Sequence, residues 1–137
     1  MQYFLVKSEP FKYPWSQFVK DKVTFWDGVR NYQARNTLMS MKKGDRVLFY
    51  HSNEGLEIVG VAKVVKEFYQ DPTTDDARWC VVDLKAYKQL TIPISLAAIK
   101  QDSLLSLMPL VKQSRLSVMS ISEEQYLRVL DLSKTTS

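Results

Sequence analysis

The residues best equipped for ligand chemistry lie in one run, Trp26 to Asn36, where aromatic, glycine, arginine and asparagine residues alternate. Aromatic rings offer stacking faces, arginine offers a planar fork for a phosphate or a base edge, and a helix start offers unpaired backbone N–H groups. This combination suits a flat, polar, anionic ligand. We therefore predict nucleotide recognition, rather than catalysis, for this segment.

Catalytic and metal chemistry find little support elsewhere in the sequence. His51 and Ser52 are adjacent, and neighbouring residues of a strand point to opposite faces, so their side chains are badly placed to act as base and nucleophile. The chain has one His and one Cys, which is too few for a zinc site, and it has no glycine pattern for binding phosphate. We expect no metal and no cofactor.

Composition predicts one globular domain, because the 137 residues are 45% hydrophobic. The net charge is +4, and the surplus lies in residues 1–50, where nine Lys or Arg face four Asp or Glu. A basic patch would attract a phosphate backbone, although such an excess is also typical of a plain solvated surface. Charge alone leaves both interpretations open.

Three features predict an intracellular location. The apolar stretches are short and broken by charge, the first residues lack a secretory leader, and Cys80 has no partner for an internal disulfide. We expect a cytoplasmic protein without a membrane segment, and no feature indicates an oligomer.

The elements that must position residues 26–36 follow from periodicity. A buried strand is predicted over 3–7 and a short helix over 14–19. Asn31 is expected to cap the next helix, whose apolar face comprises Ala34, Leu38 and Met41. An antiparallel meander is predicted to follow, with strands over 46–52, 56–68 and 78–87.

Local signals mark several further positions. Gly60 indicates a bend, a bulge or a close backbone approach within a strand. Ser95 is expected to cap a helix, and Ser122 with Gln125 is expected to form a capping box for the last helix. With a further strand over 116–119, the sum is an α+β fold of about five or six strands with short helices at the edges.

Six segments occur in order along residues 1–132: Lys7-Ser8-Glu9-Pro10, Trp26 to Asn36, Lys43-Gly44-Asp45, Phe49 to Ser52, Ile58-Val59-Gly60 and Gln113 to Val118. Together they resemble the EVE domain family of the PUA-like superfamily, and the similarity to its stand-alone bacterial members implies a bacterial cytoplasmic protein. The resemblance implies a PUA-like mixed β pseudo-barrel over 1–132 with a pocket on one side, followed by a flexible polar tail over 133–137. It also implies non-catalytic binding of DNA or RNA through a modified base, with a modified cytosine or another pyrimidine favoured.

The resemblance and the chemistry of the residues together define a candidate pocket. Trp26 is the expected stacking wall with Tyr50 or Tyr32 as a second aromatic, Gly28 lets the backbone approach the ligand, and Val29 closes over the base. The full candidate set is Lys7, Ser8, Glu9, Trp26, Gly28, Val29, Arg30, Asn31, Tyr32, Tyr50, His51, Ser52, Ser114, Arg115 and Ser117.

Alternatives remain open at this level. An enzyme or sensor acting on a free nucleoside or a similar aromatic metabolite would use His51 and Glu9, and an aromatic cage would hold a methylated ammonium group by cation–π attraction. The same residues also have structural interpretations, with Trp26 as a core aromatic, Gly28 as a turn glycine and Asn31 as a helix cap.

Overall fold

Six β-strands form one mixed sheet in the computed structural model, which describes residues 1–136. They are β1 (Tyr3–Ser8), β2 (Val23–Phe25), β3 (Arg46–His51), β4 (Glu57–Gln70), β5 (Cys80–Ser95) and β6 (Val118–Ile121). Their order across the sheet is β2-β5-β4-β3-β1-β6. The strand count and the peripheral helices confirm the predicted α+β fold, although the short strand β2 was not predicted.

Short helices surround the sheet, and their starts follow the predicted caps. Within residues 1–136 they are α1 (Trp15–Asp21), α2 (Tyr32–Ser40), α3 (Leu96–Gln101), α4 (Pro109–Lys112), α5 (Glu123–Leu132) and a 3₁₀ turn (Leu105–Leu107). Asn31 accepts the N–H of Ala34 at 3.0 Å, and Ser95 caps α3 in the same way. Ser122 and Gln125 form the expected reciprocal capping box. None of these helices is long and apolar enough to cross a membrane.

The pairing of β1 with β3 is parallel, and the chain between them forms α1, β2 and α2. Parallel strands bring their carboxyl ends to the same edge of a sheet, so Lys7 lies beside Tyr50 and Ser8 lies beside His51. The next three strands, β3, β4 and β5, pair antiparallel as the predicted meander. The parallel pair therefore joins two of the candidate segments, 7–9 and 50–52.

An aromatic cluster around Phe49 fills the core close to this edge. The Phe49 ring centroid lies 5.3 Å from that of Trp15, 5.5 Å from Phe18 and 5.7 Å from Trp26. Gly60 pairs with Phe49 across the sheet beside a register shift, and a Cβ at this position would lie 2.4 Å from the Trp15 ring. Gly60 is therefore a bulge position at which a ring packs directly on the backbone.

Several predicted boundaries differ from the structure. The third strand of the meander runs to Ser95 instead of ending at 87, because its pairing with β4 continues to the end. The last strand begins at Val118 instead of 116. Residues 133–136 do not form a free tail, since the N–H of Ile92 donates to the Ser133 carbonyl at 3.1 Å and the N–H of Thr91 donates to Thr135. Ser137 lies outside the described residues.

Candidate functional site

A cavity of about 480 Å³ opens between the end of β1, the first turn after it and the segment that follows β2. Seven of the predicted residues line it, namely Lys7, Ser8, Glu9, Trp26, Gly28, Val29 and Ser117. Five further lining residues were not predicted, namely Lys12, Tyr13, Thr24, Phe25 and Asp27. The parallel pairing and the short strand β2 bring these sequence-distant segments together.

Trp26 forms a rigid wall of the cavity. Its side chain is 8% exposed, and its ring meets Phe49 and Tyr13 edge to face, at centroid distances of 5.7 and 6.3 Å. The Trp26 N–H donates to the Val82 carbonyl at 2.8 Å, which fixes the backbone at the same point. Trp26 is thus a core residue that also lines the cavity.

The loop over 27–30 presents backbone to the cavity. Gly28 has φ +78°, a conformation that L side chains rarely adopt, and a Cβ there would meet nothing within 4 Å. No acceptor within residues 1–136 takes the N–H groups of Asp27, Gly28 or Val29. These three donors thus have no partner in the described part of the chain, and their residues line the cavity. Asn31 ends the loop by capping α2, which uses its side-chain oxygen.

The opposite rim is largely occupied by internal contacts. The Ser8 hydroxyl donates to the Tyr13 carbonyl at 2.5 Å, and the Glu9 carboxylate pairs with Lys12 at 3.6 Å. The Tyr13 hydroxyl donates to Asp21 at 2.8 Å, and burial raises the pKa of Tyr13 to about 12. The phenol therefore stays neutral and donating at physiological pH, and Ser8 keeps only acceptor capacity for a ligand.

Lys7 lies where the cavity meets a second cleft of about 500 Å³. Its ammonium donates to the Ser114 carbonyl at 2.7 Å, and burial lowers the pKa of Lys7 from its ordinary value. Four more predicted residues line this second cleft, namely Tyr50, Ser52, Ser114 and Arg115. Arg115 also lines a separate recess with Asn31, and it does not line the cavity formed by Trp26 and Gly28.

Arg30 and Tyr32, two of the predicted residues, point away from the cavity. The Arg30 guanidinium pairs with Asp71 at 3.0 Å, a carboxylate whose side chain is fully buried, and packs over Trp79. The Tyr32 ring lies 5.3 Å from Trp79, and its hydroxyl accepts from Arg78. Both side chains therefore cover the loop between β4 and β5.

His51 also lies outside the cavity. Tyr50 and Ser52 face the second cleft, whereas His51 shares the side of Phe49 and accepts the Trp15 N–H at the start of α1 through Nε2, at 3.0 Å. Burial lowers the pKa of His51, which agrees with a neutral ring accepting this bond. The structure therefore does not bring His51 and Glu9 into one cavity.

Over residues 1–136, no cluster of three or more His, Cys, Asp or Glu side chains is arranged to hold a metal ion.

Comparison with known proteins gives a consistent result. The EVE domain family matches residues 2–132. Thymocyte nuclear protein 1 of Gallus gallus is 41% identical over 95 residues, which cover 58% of this chain and 39% of that protein. The chain thus spans about two fifths of the length of this curated relative.

Two solved structures are similar over nearly the whole chain. A protein from Agrobacterium tumefaciens is 42% identical with a TM-score of 0.96, covering 98% of this chain and 94% of the other. The human THYN1 protein, solved in complex with DNA that contains 5-methylcytosine, is 32% identical with a TM-score of 0.89, covering 100% of both chains. With the family match over 2–132, these similarities show that this chain belongs to the EVE domain family and has its PUA-like α+β fold.

Proposed function

We propose that this domain is a non-catalytic reader of nucleic acid that takes one modified base into the cavity lined by Trp26 and Gly28. A modified cytosine or another pyrimidine is the favoured base, and DNA is the favoured polymer. The observation that carries the proposal is the cavity itself, whose 480 Å³ lies within the range of about 300–1,000 Å³ typical of small-ligand sites. The human relative solved with DNA containing 5-methylcytosine supports the choice of ligand.

The energetics of base insertion explain why the cavity needs both a wall and backbone donors. Extraction of a base from its stack costs a few kcal/mol, and stacking on one aromatic ring such as Trp26 returns about 1–3 kcal/mol. Stacking alone therefore roughly balances extraction. Hydrogen bonds from the free N–H groups of Asp27, Gly28 and Val29 would supply the net favourable free energy of binding, because these donors suit the acceptors on a pyrimidine edge.

Selection for a modified base requires apolar surface beside the polar edge. Phe25 and Val29 supply such surface within the cavity lining. Burial of one methyl group contributes about 0.8 kcal/mol, which corresponds to a preference of about fourfold. A preference near this size for 5-methylcytosine over cytosine is therefore expected from shape alone, and larger ratios require additional hydrogen bonds.

The proposal is tested by a competition panel. One oligonucleotide sequence carries cytosine, 5-methylcytosine or other modified bases at a single position, in DNA and in RNA, and each competes with a labelled 5-methylcytosine DNA. We expect the preferred modified oligonucleotide to compete at least about fourfold better than its cytosine counterpart. Equal competition by every base would contradict base recognition in the cavity.

A second arm of the panel addresses the small-molecule alternative. Free nucleosides are added to the protein, and both binding and conversion are followed, the latter by mass spectrometry. Under the reader hypothesis no nucleoside is converted, and monomers compete more weakly than the oligonucleotides because they lack phosphate contacts. Conversion of a nucleoside would instead support an enzyme.

A further inference from the structure

A row of like charges crosses the sheet at the end of β1 and β3 that lies away from the cavity. Arg46 of β3 is the register partner of Lys63 of β4, and Lys63 is the register partner of Lys85 of β5. Directly paired residues project to the same face of a sheet, and like charges in such pairs destabilise the fold. The arrangement therefore carries a cost that an anionic ligand would remove.

Two of these cations, Arg46 and Lys63, converge with Lys88 on one aromatic ring. The Tyr87 ring centre lies 3.9 Å from the Lys63 ammonium, 4.9 Å from the Arg46 guanidinium carbon and 5.4 Å from the Lys88 ammonium. In the described part of the chain, no carboxylate forms an ion pair with Arg46, Lys63, Lys85 or Lys88. Besides the ring, Arg46 donates to the Gly44 carbonyl and Lys88 donates to the Thr136 carbonyl, and both of these acceptors are uncharged.

The row continues into a concave cleft of about 250 Å³ between the end of α1 and β5. Lys22, Lys85 and Lys88 line this cleft together with Tyr87 and Trp15, and no acidic residue lines it. A cleft lined by three lysine residues and an aromatic ring suits a phosphodiester ligand.

We propose that Arg46, Lys63, Lys85 and Lys88, together with this cleft, form a phosphate-binding surface for the nucleic-acid strand whose base occupies the cavity. This inference rests on the proposed function. The edge strand β2 connects the two sites, because Lys22 precedes it at the cleft and Trp26 follows it at the cavity wall. Four residues of extended chain span roughly 13 Å, so a single nucleic-acid strand could contact both sites.

The test compares two double variants of equal net charge. Lys63→Gln/Lys85→Gln removes two charges from the row, and Lys100→Gln/Lys134→Gln removes two exposed charges elsewhere. Affinity for one oligonucleotide, with 5-methylcytosine or cytosine at one position, is measured at several salt concentrations. We expect the row variant to weaken both oligonucleotides by the same factor, which preserves their affinity ratio. The slope of log K against log salt should fall by about 0.7–0.9 for each lost phosphate contact.

Thermal unfolding of both variants separates binding from folding. The row variant should unfold close to the wild-type temperature, because the loss of like-charge repulsion and the loss of the Lys63 contact with the Tyr87 ring oppose each other. If the row variant unfolds at a lower temperature than the wild type, the affinity measurements are repeated with the single variant Lys85→Gln, whose position is exposed.

The outcomes distinguish this inference from the proposed function. If the row variant matches the Lys100/Lys134 control in affinity and salt slope, the proposed phosphate-binding surface is wrong. The base preference of the wild type then tests the proposed function separately. A wild type without base preference, combined with weak binding by the row variant, overturns base recognition and retains the surface as a phosphate site.

Discussion

Trp26→Phe tests whether the aromatic wall of the cavity reads the base. The Trp26 ring is 8% exposed and packs against Phe49 and Tyr13, so any substitution also affects the core. Trp26→Ala would cost about 3–5 kcal/mol of a total stability of about 5–15 kcal/mol, which would confound binding with unfolding. Trp26→Phe removes three heavy atoms and should cost about 2 kcal/mol, at about 0.8 kcal/mol for each methylene-sized group.

The binding effect follows from the loss of stacking area. Stacking contributes about 1–3 kcal/mol for each base, and the smaller ring of Phe retains part of it, so the modified oligonucleotide should bind roughly fivefold more weakly. Binding of the unmodified oligonucleotide depends on phosphate contacts and should change little. The affinity ratio between the two should therefore fall. Fluorescence anisotropy with matched 5-methylcytosine and cytosine oligonucleotides measures this ratio well below the unfolding temperature.

Trp79→Phe is the matched control, because Trp79 is also 8% exposed but packs against Tyr32 outside the cavity. It should lower the free energy of unfolding by a similar amount and leave the affinity ratio unchanged. If Trp26→Phe lowers stability without changing the ratio, or if both variants reduce the ratio equally, the assignment of Trp26 as the base-stacking wall is refuted.

Three other predictions test neighbouring features. Burial lowers the pKa of His51 in the folded state, so on acidification the unfolded state takes up this proton first. The contribution of the neutral ring to folding stability is therefore complete above about pH 6.5 and is lost as the pH falls through the pKa of the folded state. His51→Gln should reduce this pH dependence of the free energy of unfolding, measured by chemical denaturation. Gly60→Ala places a Cβ 2.4 Å from the Trp15 ring and should cost about 1–3 kcal/mol; an unchanged thermal midpoint would contradict the packing. The added methyl group of Gly28→Ala meets open space, but alanine must adopt a φ of +78°, which should lower the free energy of unfolding by about 1–2 kcal/mol. The same change should lower the ratio of affinities for the modified and unmodified oligonucleotides. An unaltered ratio would argue against ligand contact by this loop.

Features set by neighbouring residues could be predicted from the sequence. The cap at Asn31 and the reciprocal box of Ser122 and Gln125 each need only residues three positions apart, and the structure has both. Gly60 indicated a bend, a bulge or a close backbone approach. The ring that approaches it belongs to Trp15, which lies 45 residues earlier in the chain. The local pattern therefore identified the special position without identifying its cause.

Features set by distant partners could not be predicted from spacing. The parallel pairing of β1 with β3 and the short strand β2 bring Tyr13 and Thr24 to the cavity, and neither residue has a local signal for binding. The chemistry of their segments and the family resemblance predict Arg30 and His51 as cavity residues. Asp71 and Trp15 instead hold these side chains elsewhere, and a sequence alone does not show such partners.

The loop over 27–30 is held at both of its ends, and this bears on how the cavity would bind a base. The Trp26 N–H bonds to the Val82 carbonyl at one end, and Asn31 begins α2 at the other. Ordering the backbone of one residue costs about 1–2 kcal/mol, so ordering four free residues on binding would cost more than one aromatic stack returns. Because folding already fixes both ends, the N–H groups of Gly28 and Val29 are ordered before a ligand arrives. Under the proposed function, recognition and folding would be coupled at Trp26, since its ring, packed on Phe49 and Tyr13, would stack on the base while its backbone N–H anchors the loop that carries the donors.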